Sequence, residues 1–200
     1  MRKSLLIPLA VVALAVLATA CGSDDDTTAS TTPDSTTSAP SAFNDADVDF
    51  AQGMIPHHSQ AVEMATLALQ QSTNPAILDL AERIQGAQDP EIEQMRGWLT
   101  AWGQEAMSGD MDDMDDMDDM DDTSAEGMMD ETEMAALMDA SGPEFDALFV
   151  DMMVRHHEGA IAMAETSLAE GTDPGVKALA EGIIDAQRAE IAEMQALDLG

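Results

Sequence analysis

FAQGMIPHHSQAVEMA at residues 50–65 recurs, without a gap, as FVDMMVRHHEGAIAMA at residues 149–164. At this offset of 99 the match extends from 50–95 onto 149–194 and leaves 19 of 46 positions identical. Among them are Phe50/Phe149, Met54/Met153, His57/His156, His58/His157, Met64/Met163, Pro75/Pro174, Gln88/Gln187, Glu91/Glu190 and Met95/Met194. All four histidines of the chain lie in the matched set. A duplication inside one chain shows which residues both halves kept, and here it kept every imidazole.

Each half divides at a turn, Ser72-Thr73-Asn74-Pro75 in the first and Gly171-Thr172-Asp173-Pro174 in the second. Asn74 or Asp173 can cap a following helix, and proline suits its first position, where a missing N–H costs nothing. Ser141-Gly142-Pro143-Glu144 is a third start signal. These marks predict helices over 45–71, 75–102, 143–170 and 174–197. A short loop between helices makes an antiparallel hairpin, and two hairpins pack most simply as an all-α four-helix bundle. The first hairpin covers 44–102 and the second 143–200, together one domain.

At 100° per residue, Phe50, Met54, His57, His58, Ala61, Met64 and Ala65 share one face of the first helix. The second helix lines up Ile77, Leu80, Ala81, Ile84, Gln88, Glu91, Met95, Trp98 and Trp102. Counting back from the turn sets His57 and His58 level with Gln88 and Glu91, and Met54 with Met95. The second hairpin likewise sets His156 and His157 beside Gln187 and Glu190, with Met153 near Met194. A pseudo-twofold axis would then bring four His, two Glu, two Gln and up to four Met to one level. Pro56 inside the first helix predicts a kink at the histidine pair. Arg155 takes its place in the second copy, where it could serve a nearby carboxylate.

Imidazole and carboxylate suit divalent first-row metals, while thioethers favour Cu(I). A mixed His, Met and Glu set without thiolate therefore points to copper, as Cu(I) or Cu(II). The candidate ligands are His57, His58, His156, His157, Met54, Met153, Glu91, Glu190, Met95 and Met194, with Gln88 and Gln187 behind them. The competing reading is a buried His–Glu network that only fixes bundle register.

Residues 103–142 carry 15 acidic residues, no basic ones and nine methionines. Met111, Met114, Met117 and Met120 repeat every three residues, which on a helix drifts about 60° per repeat and forms no face. Disorder is expected over 108–125, with a short helix near 130–140. Spaced thioethers could wrap Cu(I), making these four a second, linker-borne candidate site; a solubilising linker is the alternative. The Asp-x-Asp-x-Asp-Gly pattern of a calcium loop is absent.

The N-terminus reads as an address. Residues 1–20 have Arg2 and Lys3, an apolar run and small residues before Cys21, the only cysteine. This resembles a lipobox, implying cleavage, acylation of Cys21 and a membrane tether outside the cytoplasm. Residues 21–43, rich in Ser, Thr, Asp and Pro, read as a disordered stalk. Loss of the leader leaves 5 basic residues against 40 acidic ones, which excludes nucleic acid as a charge-driven partner. One cysteine allows neither an intrachain disulfide nor an iron–sulfur cluster.

The two His-His segments are similar to the signature of a bacterial exported family, domain of unknown function 305. That resemblance spans about 45–197 and implies a ferritin-like bundle, a cell-envelope location and, for some members, copper binding or resistance. Carried over by position, it marks Met54, His57, His58, Met64, Met153, His156, His157 and Met163. The long Met-Asp insertion departs from the pattern. Three function classes follow: an envelope lipoprotein that binds copper, a ferritin-like metal oxidase, and a metal-free interaction bundle. Di-iron bundles use Glu-x-x-His, but Met54, Ile55, Met153 and Val154 stand three residues before the histidines. The cysteine is committed and no Gly-x-Ser-x-Gly occurs, so nucleophilic hydrolysis has no support. Self-association stays open.

Overall fold

The computed structural model describes residues 42–106 and 126–199. The leader, Cys21, most of the stalk, and Met111, Met114, Met117 and Met120 lie outside the described residues. The described chain forms α1 (Asp45–Gln71), α2 (Pro75–Trp102), α3 (Glu131–Asp139), α4 (Gly142–Glu170) and α5 (Pro174–Ala196). None of them is long and apolar enough to cross a membrane.

Local chemistry sets these boundaries. Asn44 and Asp47 form a reciprocal capping box at the start of α1. Asn74 accepts from the Ala76 amide, and Asp173 from the amides of Gly175 and Val176, each just ahead of its proline. Asp130 and Glu133 make a second capping box for α3. The expected helices agree with the observed ones to within a residue at each end, and α3 falls where the short helix is expected. α1 remains helical through Pro56, as α2 does through Pro90.

α1 pairs with α2 and α4 with α5, and the two hairpins meet along α1 and α4. These central helices run antiparallel. The Asn44 side chain at the start of α1 donates to the Glu170 carbonyl at the end of α4. Asp47, fully buried, accepts from the Thr172 amide and hydroxyl and from the Asp173 amide. One carboxylate thus ties the first helix to the turn of the opposite hairpin. The fit depends on Gly171, because a Cβ there would fall 2.5 Å from Asp47 Oδ1.

The core has two apolar halves. One gathers Ala61, Met64, Ile77, Leu80 and Ile84 with Leu137 of α3, Phe145, Phe149, Met153 and Met194. The other gathers Phe50, Met54, Ile55, Ile92, Met95 and Leu99 with Ala160, Met163, Val176 and Ile183. Sequence order places the histidines at the boundary on both central helices: His57 and His58 between Ile55 and Ala61, His156 and His157 between Met153 and Ala160. Each fully buried aliphatic or Met side chain contributes about 1.5–3 kcal/mol, and the two halves clamp a polar layer between them.

The Asp47 tie yields a first prediction. Gly171→Ala removes no hydrogen-bonding atom, yet should destabilise the protein by about 2 kcal/mol by displacing the carboxylate from its donors. Chemical denaturation should show a lower midpoint with an unchanged slope; an unaltered midpoint would refute the role assigned to this contact.

Candidate metal centre

All four histidines are fully buried. His57 and His156 face each other across the α1–α4 crossing, ring centroids 3.9 Å apart and tilted by 44°. His156 and His157 are 6.4 Å apart by the same measure. Toward the flanks, His58 Nε2 lies 2.7 Å from Glu91 Oε2 on α2, and His157 Nε2 lies 2.7 Å from Glu190 Oε2 on α5. The hairpin register read from the sequence is the register observed, and the two His–Glu pairs repeat each other.

The carboxylates sit at the rim. The side chains of Glu91 and Glu190 keep 22% and 13% of their surface exposed, so water helps carry their charge while the imidazoles stay inside. Such carboxylates orient a ring and select which nitrogen faces inward. For His58 and His157, Nε2 is engaged and Nδ1 is the nitrogen left over. His57 follows the same rule with a different partner, since its Nε2–H donates to the Glu126 carbonyl at 3.2 Å. Neither nitrogen of His156 has a well-formed hydrogen bond.

Five buried ring nitrogens therefore lack a partner: Nδ1 of all four histidines and Nε2 of His156. The buried Gln88 and Gln187 add one unpartnered Oε1 each. An unsatisfied buried polar atom costs about 1–3 kcal/mol, so seven of them approach the whole stability of a typical domain, about 5–15 kcal/mol. An imidazole that keeps its N–H has one lone pair to give, so four ring nitrogens and two amide oxygens are left as donor atoms, which fits a ligand with several coordination positions.

The methionines divide between the halves of the core. Met54 and Met95 are grouped with Met163, whereas Met153 and Met194 are grouped with Met64. Antiparallel pairing of α1 with α4 causes this exchange, because the end of one helix lies beside the start of the other. The four thioethers expected at one level thus flank the histidine layer from both sides. Met64 and Met163, which the resemblance marks, join these groups from the opposite hairpin. Among the described residues, no three imidazole, thiol or carboxylate groups are placed to hold a metal ion by themselves. Any such site here must draw on thioethers or amide oxygens.

A contact with no sequence signal covers His57. Gln60 donates to the Met129 carbonyl at 2.8 Å and accepts from the Met129 amide at 2.7 Å, pinning the backbone ahead of α3 onto α1. Arg155 pairs with Glu133 at 2.6 Å, which supplies the expected carboxylate partner, and its guanidinium also reaches the Met129 sulfur at 3.2 Å.

Burial governs the protonation of the central pair. It pushes the His57 pKa down to about 3, the His58 imidazole adds to this, and the Glu126 hydrogen bond only partly opposes it. His156 is held well below its ordinary 6.5, first by burial and then by the imidazoles of His57, His157 and His58. Both rings are neutral at physiological pH, the form that can donate to a metal.

These features define a class: a duplicated helical bundle with a buried imidazole layer flanked by thioethers. The profile of a domain of unknown function, DUF305, matches residues 47–198, and the chain belongs to that family. A DUF305 protein of Streptomyces coelicolor has the same fold, with 31% identity, a TM-score of 0.65, and coverage of 74% of this chain and 89% of that one. A DUF305 fragment from Deinococcus radiodurans matches at 32% identity and a TM-score of 0.64, covering 76% and 94%. CopM in its Cu(I)-bound form matches at 30% identity and a TM-score of 0.60, covering 74% and 92%. CopM has also been solved with Cu(II) and with silver. No curated protein matches the sequence.

The depressed histidines make acid the weak side of the fold. Unfolded, His57 takes a proton near pH 6.5; folded, it takes one only near pH 3. Between those values the unfolded state binds more protons, so stability drops as pH falls through the window. Asp47 acts lower. Burial raises its pKa, but hydrogen bonds from Asn44, Thr172 and Asp173 outweigh this and hold it below 3.8, so its contribution is lost only in stronger acid. From pH 7 to pH 4.5, His57 alone should cost about 2.5 kcal/mol. Denaturation of the His57→Gln/His156→Gln variant should show a much smaller acid loss; an equal loss would place the sensitivity elsewhere.

Proposed function

We propose that this protein binds copper outside the cytoplasm and sequesters or buffers it, tethered to the membrane through Cys21. The carrying observation is the set of five unpartnered ring nitrogens between two methionine-containing core halves. Imidazole and thioether together favour copper, and Cu(I) most of all. CopM, a structural relative solved with Cu(I), Cu(II) and silver, supports the same assignment. In this reading the candidate imidazole ligands are His57, His58, His156 and His157, each ion taking fewer than three of them in the arrangement observed and completing its shell with other donors. Met54, Met95, Met153 and Met194 supply thioethers, and Gln88 and Gln187 face the ion from behind. Glu91 and Glu190 orient His58 and His157 from the rim.

The Met-Asp tract adds a second set of thioethers, Met111, Met114, Met117 and Met120. Its flanks support a link to the buried layer. The Glu105 carbonyl accepts from Gln52, and the Glu126 carbonyl from His57, so both ends meet α1 within about two turns. The leader with Cys21 at its end supports the envelope location, as does the Streptomyces relative, described as secreted.

A second reading also has an observation in its favour. The two 2.7 Å His–Glu pairs would serve equally to fix helix register in a metal-free bundle. An oxidase finds less support, since no Glu-x-x-His occurs and both rim carboxylates are already engaged.

Metal titration separates these readings. Saturating Cu(I) or Ag(I) at a hundredfold excess over Kd should stabilise the protein by about 3 kcal/mol. The His57→Ala/His58→Ala/His156→Ala/His157→Ala variant should gain nothing, and deletion of 108–125 should lower stoichiometry without removing the stabilisation. Glu91→Gln/Glu190→Gln should weaken affinity about 10- to 100-fold. A parent whose melting metal leaves unchanged, together with a quadruple variant that melts lower in the absence of metal, favours the register-setting bundle; sustained oxygen uptake with Cu(I) or Fe(II) favours the oxidase.

A further inference from the structure

Fully buried imidazoles raise a question of access, because neither an ion nor a reagent reaches them unless part of the fold moves. We propose that the segment 126–129 is a removable strap over the α1–α4 crossing, and that the histidine layer is entered by lifting it. The ion-binding part of this inference rests on the function proposed above; the route itself does not.

Three observations single out this segment. It touches the layer directly, through the Glu126 carbonyl on His57 Nε2. It lies on bare helix backbone: a Cβ at Gly159 would fall 1.9 Å from the Glu126 carbonyl oxygen, and one at Gly127 would fall 2.5 Å from the Arg155 carbonyl oxygen. Gly127 itself has φ +82°, a turn conformation that glycine adopts at little cost. No side-chain layer separates strap from helix at that crossing. Its polar attachments are few, chiefly the two bonds from Gln60 to Met129 and the reach of Arg155 to the Met129 sulfur, and a single side chain of the segment, that of Met129, is buried in the first core half. The other flanks of the layer are closed by α2 and α5, long helices whose apolar faces belong to the two core halves. Local opening selects regions with few buried apolar contacts, so the strap should open before those helices separate.

The duplication sharpens the point. The residue equivalent to Gly159 is Gln60, so one copy supplies the smooth surface and the other the clasp. His57 is the ring that the strap covers, and lifting the strap frees its Nε2 while exposing the neighbouring His156.

Carbethoxylation by diethyl pyrocarbonate, read residue by residue by peptide fragmentation, tests the route without metal. Gly159→Ala should force the strap off the helix, and Gln60→Ala should release the clasp without a clash. Neither alters a proposed ligand. Each should speed modification of His57 and His156 by about tenfold or more while His58 and His157, behind Glu91 and Glu190, stay slow. Amide exchange should rise at 127–129 and stay low through α2 and α5. Stopped-flow Ag(I) uptake should accelerate by a similar factor. Unchanged His57 reactivity in variants whose strap amides exchange freely overturns the proposal. Equal acceleration of all four histidines also overturns it, since that marks global loosening. Selective His57 exposure in a protein that takes up no silver upholds the route and refutes the metal reading instead.

Discussion

The close crossing of His57 and His156 is the constraint around which the rest of the molecule is arranged. Two imidazoles 3.9 Å apart in a dry interior cannot both carry a positive charge. They must stay neutral, and their nitrogens must be directed by groups that can stand the burial. The chain places those groups at the edge of the layer: a backbone carbonyl for His57 and partly exposed carboxylates for His58 and His157. Apolar halves above and below exclude water, which is why the rings are neutral in the first place. Held this way, the leftover nitrogens point into the molecule rather than out of it.

Duplication solves most of this geometry with one hairpin used twice, and the departures from symmetry are as informative as the repeats. Asp47 and Asp146 are equivalent, yet only Asp47 is bonded to the turn of the opposite hairpin. Gly171 leaves room for its carboxylate, whereas the corresponding Ser72 uses its own hydroxyl to accept from the Asn74 amide. Asp146 is consequently buried with Oδ1 unpartnered. Pro56 against Arg155 and Gln60 against Gly159 are further differences, and both concern the segment ahead of α3. Arg155, Gln60 and Gly159 are all in contact with it. Some of the differences between the two halves thus fall where one of them receives a third element.

This division explains what could be read from the sequence. Caps, prolines and the 3.6-residue period are local, so the four long helices and α3 were legible from residues such as Asn74, Pro75, Asp173 and Pro174. The His–Glu register was legible too, because a three-residue turn fixes which residues of a hairpin lie level. The distribution of the methionines was not. It depends on α1 and α4 running antiparallel, a tertiary fact without a local signal, and this sends Met163 to Met54 and Met95 while Met64 joins Met153 and Met194. The cover over His57 was hidden for a similar reason. Gln60 and Gly159 look like incidental differences between copies until the backbone of Met129 and Gly127 is laid across them.

The charge of the chain and the chemistry of its interior act on cations in different ways. Its net charge of −33 attracts cations of every kind, over roughly a Debye length of 8 Å at physiological salt, and cannot tell a soft ion from a hard one. Inside, the available donors are imidazole nitrogens, thioethers and amide oxygens, with the carboxylates kept to the rim. Burying a charge among neutral donors becomes steeply more costly as the charge rises, so a monovalent soft ion suits the layer better than a divalent hard one. On the proposed reading, the acidic surface gathers cations and the uncharged interior selects among them. Discrimination then depends on keeping water and carboxylates out of the layer, and so on the same burial that holds His57 and His156 neutral.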